Sequence, residues 1–134
     1  MSVTPKEREQ VAAVFSGACA GKRLCPVKDI MAHYGDKWSM YTILLLGQRQ
    51  KMRFNELRTG ITGISQRMLT VTLRSLEEDG IVSRTVYPGV PPHVEYELTE
   101  LGEGLLRQLL HLASWAEENF SKIVKARKEH GKED

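Results

Sequence analysis

Residues 62–80 read TGISQRMLTVTLRSLEEDG, and this stretch decides the fold. Thr62-Gly63-Ile64 has the composition of a turn, Ser65 is a helix N-cap residue type, and Gly80 is a helix stop. At about 100° per residue, Leu69, Leu73 and Leu76 line one side of the 65–79 helix, its core side. The opposite side presents Arg67, Thr70, Val71, Arg74 and Glu78, with Ser65 and Gln66 at its start. Just upstream, Phe54-Asn55-Glu56-Leu57 reads as a short helix with Asn55 as cap and Phe54 packing from outside it. A short helix and a longer one joined by a glycine-containing turn of about four residues form a helix-turn-helix.

Working outward, residues 81–87 are mostly β-branched or aromatic, Pro88-Gly89-Val90-Pro91-Pro92 is a stiff loop, and residues 93–98 alternate strictly. That predicts a two-stranded hairpin. The expected fold is mainly α with a small β-hairpin wing, a winged helix-turn-helix. Toward the N-terminus, Thr4-Pro5-Lys6-Glu7 fits a capping box that opens a helix over 5–16. Pro26 suits the start of another helix over 26–34, which Gly35-Asp36 breaks. Trp38, Tyr41, Ile43, Leu44, Leu45 and Leu46 then describe a helix apolar nearly all round, which predicts a central, buried position. Thr99 caps a final helix to about residue 127. The 134 residues are expected to form one domain, with an N-terminal dimerisation segment 5–24, a core 25–98, a C-terminal dimerisation helix 99–127 and a mobile tail 128–134.

Composition narrows the function. Hydrophobic residues make up 41% and charged residues 27%, which suits a globular protein. The longest mainly apolar stretch, residues 40–46, falls far short of the roughly 20 residues that span a bilayer. Lys6, Glu7, Arg8 and Glu9 stand where an export signal needs its apolar core, so the expected location is the cytoplasm. The two cysteines, Cys19 and Cys25, make no disulfide framework, and the four histidines are scattered without metal-ligand spacing. No metal or cofactor is expected. Residues 1–60 carry ten Lys/Arg against five Asp/Glu, a bias that permits a polyanionic partner.

The outer face of the 65–79 helix suits a reader of the major groove. Arginine can bond guanine O6 and N7, glutamine can bond adenine, and Thr70 and Val71 offer methyl groups to thymine. The plain alternative is a solvated face with two arginines. In the wing, Arg84 and His93 flank a proline-rich loop whose stiffness lowers the entropy lost on docking; Arg84 can instead pair with Glu95 across the hairpin. Arg49, Lys51 and Arg53 cluster before the first motif helix, where they can hold phosphates, and Lys37 can join them. On the last helix Leu105, Leu109, Leu112, Trp115 and Phe120 belong to an apolar stripe too long for one small domain to cover, which marks an interface.

Cys25-Pro26-Val27, Gly35-Asp36-Lys37-Trp38 and Arg53-Phe54-Asn55-Glu56-Leu57 resemble the HxlR-type regulators, a branch of the MarR-like winged-helix proteins. So do residues 64–70, Leu76-Glu77-Glu78-Asp79-Gly80 and the wing from Tyr87 to Thr99. The resemblance covers about residues 25–105. It implies a dimeric cytosolic transcription regulator whose first and last helices build the dimer. It also implies that Cys25 matches the cysteine that senses electrophiles or oxidants in several members. His93 stands where family members often carry Arg or Lys, and the segment containing Cys19 lies outside the resemblance.

Three functions compete. The first is a sequence-specific DNA-binding regulator that acts as a homodimer on a pseudo-palindromic operator and answers to an electrophile or another effector. The second is a winged-helix module that binds protein rather than DNA, for which an outward-facing Arg67 and Arg74 are the wrong residues. The third, a thiol enzyme, lacks a His or Asp at a useful spacing from Cys25. For Cys25 itself, the start of a helix and the nearby Lys22 and Lys28 favour the thiolate. Its alternative is a small packed residue at a helix cap. Cys19 is a resolving partner only if the two Cα atoms come within about 7 Å.

Overall fold

The computed structural model describes residues 2–15 and 26–131. The chain forms two compact units, Met1–Met40 and Tyr41–Asp134.

In the first unit, α1 (Pro5–Phe15) opens on the expected capping box. The Glu7 N–H donates to Thr4 Oγ1 at 3.1 Å and the Thr4 N–H donates to Glu7 Oε1 at 2.8 Å. Those bonds, the backbone one first, hold the Glu7 carboxyl below its ordinary pKa. Helix α2 (Pro26–Tyr34) buries Tyr34 at its end and leaves Ile30 and Met31 exposed. Asp36 breaks α2 and caps the next helix, accepting the Ser39 N–H at 3.0 Å.

That next helix, α3 (Lys37–Arg49), departs from expectation. In its continuation in the second unit, Thr42, Ile43 and Leu46 are fully buried, but Tyr41 is 50% exposed and Leu44 and Leu45 are half-buried. The helix is buried along one side only, because its other flank borders an open groove of about 500 Å³ beside Gly60, Ile61 and Thr62. Helix α3 ends at Gln50, which holds the left-handed conformation (φ 71°) while its N–H donates to the Leu46 carbonyl at 2.9 Å.

The chain then makes a strand that sequence patterning did not predict. β1 (Met52–Arg53) pairs antiparallel with β3 (His93–Leu98), which in turn pairs with β2 (Val82–Tyr87). The expected two-stranded wing is therefore a three-stranded sheet in the order β1-β3-β2. Helix α4 (Phe54–Gly60) follows β1 directly, and its N-cap is Arg53 rather than Asn55. The extended last residue of β1 serves as the cap, and Glu56 reaches back to accept the Arg53 N–H at 2.7 Å.

The turn after α4 is plugged by two buried side chains, Ile61 and Ile64, with Gly63 at φ 88° between them. Helix α5 (Gln66–Glu78) buries Leu69, Leu73 and Leu76, as its periodicity predicts. Gly80, at φ 75°, closes it, and the Ile81 N–H donates to the Leu76 carbonyl at 2.9 Å. Around these leucines, Ile43, Leu46, Met52, Leu57 and Val82 complete the core of this unit. Helix α6 (Glu100–Glu129) is capped by Thr99 and runs two residues past the expected end, about 45 Å in length.

Candidate nucleic-acid interface

The helix-turn-helix holds α5 by its leucines and turns the opposite side to solvent. Ser65 Oγ accepts the Met68 N–H at 3.0 Å, which fixes where the helix begins. Gln66, Arg67, Thr70, Val71 and Arg74 are all exposed. The Thr70 hydroxyl donates to the Gln66 carbonyl at 2.8 Å, so its proton is committed within the helix. Val71 is 53% exposed in the middle of this face. A β-branched side chain gains little there from the helix itself, and its methyls suit an apolar base edge.

Strand register settles the neighbourhood of the wing residues. Arg84 stands opposite Tyr96, whereas Glu95 stands opposite Thr85 in β2 and opposite Arg53 in β1. Because alternate residues of a strand face opposite sides, Arg84 and Glu95 lie on different faces of the sheet. The expected alternative of an Arg84–Glu95 pair is overturned. Arg84 faces α5 instead, and with Arg74 it lines a cavity of about 320 Å³ bordered also by Thr70, Glu77 and Tyr96. Periodicity along α5 did not single out Glu77 or Tyr96. The signal for Tyr96 was the hairpin count, since the Tyr87–His93 pair across the five-residue loop puts Arg84 against Tyr96. His93 stacks on Tyr87 with ring centroids 4.9 Å apart, and its Nε2 lies 3.6 Å from Glu95 Oε2, so it stiffens the neck of the wing. The tip beyond it leaves Val90 fully exposed.

The remaining candidates are spread along the chain. Arg53 sits at the junction of β1 and α4, exposed, with its N–H held by Glu56. Lys37 belongs to the first unit, where its Nζ lies 4.4 Å from the centre of the Trp38 ring. Cys19 and Cys25 lie outside the described residues. On α6, Leu105 and Leu109 are half-buried, and Leu112, Trp115 and Phe120 are exposed by 55%, 56% and 55%. Among the described residues no helix is long and apolar enough to cross a membrane, and no three His, Cys, Asp or Glu side chains gather as a metal site.

The sequence model of the HxlR-like helix-turn-helix family matches residues 33–124. The chain belongs to this family. The HxlR-like chain is 39% identical over 105 residues to the HTH-type transcriptional regulator YtfH of Escherichia coli K12, covering 78% of its own length and 82% of the relative's. The solved structure of ytfH from Salmonella typhimurium superposes with a TM-score of 0.73 at 35% identity, covering 84% of this chain and 99% of that one. The redox regulator HypR in its reduced form superposes with a TM-score of 0.66 at 43% identity, covering 75% and 98%. The expected winged helix-turn-helix and the resemblance to MarR-like transcription regulators are thus borne out, with the third strand added.

Proposed function

We propose that this HxlR-like chain is a cytoplasmic, non-enzymatic regulator that binds double-stranded DNA as a homodimer, with α5 in the major groove and the wing beside it. The observation that carries the reading is the exposed face of α5, where Gln66, Arg67, Thr70 and Val71 offer base-reading chemistry from a helix anchored by a buried leucine row. Basic wing residues, Arg84 foremost, add phosphate contacts that position the helix. The half-exposed Leu112, Trp115 and Phe120 on α6 supply the dimer surface. Two-fold symmetry then calls for a pseudo-palindromic operator with half-sites roughly 10 bp apart or a multiple of that spacing.

We further assign Cys25 as the group through which an electrophile or oxidant acts. The support is the family membership and the likeness to HypR, a redox regulator solved in reduced and oxidized forms. Cys25 directly precedes Pro26, the first residue of α2. Gel-shift titration of Arg67→Ala tests the DNA reading. Loss of one bidentate base contact in each half-site is expected to weaken operator binding by about 1–3 kcal/mol per half-site. Unchanged affinity in a folded variant refutes the placement of α5 in the groove.

A further inference from the structure

We infer that Arg74 and Arg84 together form a clamp for one backbone phosphate at the seam between α5 and the wing, and that Arg74 is not a base reader. This rests on the DNA-binding reading above and divides its contact residues into two kinds. Arg74 stands on the third turn of α5 and Arg84 on β2, yet both line the same cavity of about 320 Å³. The register that puts Arg84 opposite Tyr96 is what turns it toward α5. Base reading in a helix-turn-helix is done by the N-terminal residues of the recognition helix, which here are Gln66, Arg67 and Thr70. Arg74 is farther along, on the flank that meets the sheet.

Charge fits a phosphodiester. Two guanidiniums and the Glu77 carboxylate leave the cavity lining with one net positive charge. A DNA backbone phosphate carries one negative charge and presents oxygens that a guanidinium fork can bond in pairs. Gln66, Arg67 and Thr70, nearer the start of α5 than this seam, are left as the residues that read bases.

The test is fluorescence anisotropy at several salt concentrations with two duplexes of equal length, one selected from a random pool and one unrelated. Arg74→Gln, Arg84→Gln and the double variant keep the aliphatic stems while removing the charges, and thermal unfolding checks that each is folded. Each single variant is expected to bind both duplexes about a hundredfold more weakly, tenfold for each half-site, leaving the ratio between them unchanged. Because the homodimer carries one clamp in each half-site, each is also expected to flatten the slope of log K against log salt by about 1.8, the value for two phosphates, and the double variant by the same amount. A fall in the ratio for Arg74→Gln, or a loss of about 3.6 in slope for the double variant, overturns the shared clamp. Failure of the wild-type protein to bind either duplex overturns the DNA reading itself, an outcome distinct from any change in slope.

Discussion

Replacing Gly102 by alanine is expected to loosen the joint between the wing and α6. A Cβ at Gly102 would stand 2.1 Å from the Ile81 carbonyl oxygen and 3.1 Å from its carbon. Carbon–oxygen contacts need about 3.3 Å, so the start of α6 must retreat by roughly 1 Å. The retreat falls on a dense set of bonds. The Thr99 N–H donates to the Ile81 carbonyl at 3.0 Å, the Thr99 hydroxyl faces the Gly80 and Ile81 carbonyls at 2.5 and 3.1 Å, and the Gly102 N–H donates to Thr99 Oγ1 at 3.1 Å. Overpacking costs about 1–3 kcal/mol and a disturbed cap about 1, while alanine returns about 1 through helix propensity. The net expectation is a loss of about 1–3 kcal/mol, or roughly 4–12 °C in Tm for a chain of this size. Gly104, two residues on, is the control, since a Cβ there meets nothing within 4 Å and alanine is expected to stabilise by up to about 1 kcal/mol. Urea denaturation of both variants at one fixed protein concentration, to hold any dimer linkage constant, gives the comparison. A Gly102→Ala protein as stable as wild type would refute the close crossing of α6 over Ile81.

Gln50 occupies a left-handed position at the end of α3. Gln50→Gly is therefore expected to raise stability by about 0.5–1 kcal/mol in the same urea assay, and a loss would contradict the conformation. Introducing Trp115→Glu and Phe120→Glu together is expected to halve the mass seen by light scattering while circular dichroism stays unchanged, because both side chains are largely exposed within one chain; a double variant of undiminished mass counts against α6 as the dimer surface. The depressed Glu7 pKa contributes helix stability above the ordinary glutamate value of about 4.3, and that contribution is lost as pH falls through the lower folded value. In an NMR titration Glu7 is expected to titrate below the usual glutamate range and to move up in Thr4→Ala; an unmoved value contradicts the capping box.

Local chemistry made much of this fold readable. Thr4, Ser65 and Thr99 cap their helices as their residue types predict, and the leucines of α5 are buried on the spacing that named them. What escaped was decided by pairing between distant segments. β1 is two residues long, too short to show alternation, and exists because β3 offers it an edge. Once Arg53 is in that strand it is extended, and it displaces Asn55 as the cap of α4. The open flank of α3 followed the same rule, since Leu44 and Leu45 are apolar whether or not another element covers them. In the site, the face of α5 was legible from a single helix, whereas the Arg74–Arg84 seam required the register of a hairpin that turns Arg84 away from Glu95.

The central claim is that α5 reads DNA as half of a symmetric pair, and selection of bound sequences from a random duplex pool tests it most directly. The wild-type protein is expected to enrich a pseudo-palindrome whose half-sites lie roughly 10 bp or a multiple apart, with binding that weakens steeply as salt rises. Arg67→Ala is expected to relax one base position in each half-site while the spacing is kept. A pool with no enriched sequence, or an enriched site without two-fold symmetry, would contradict it.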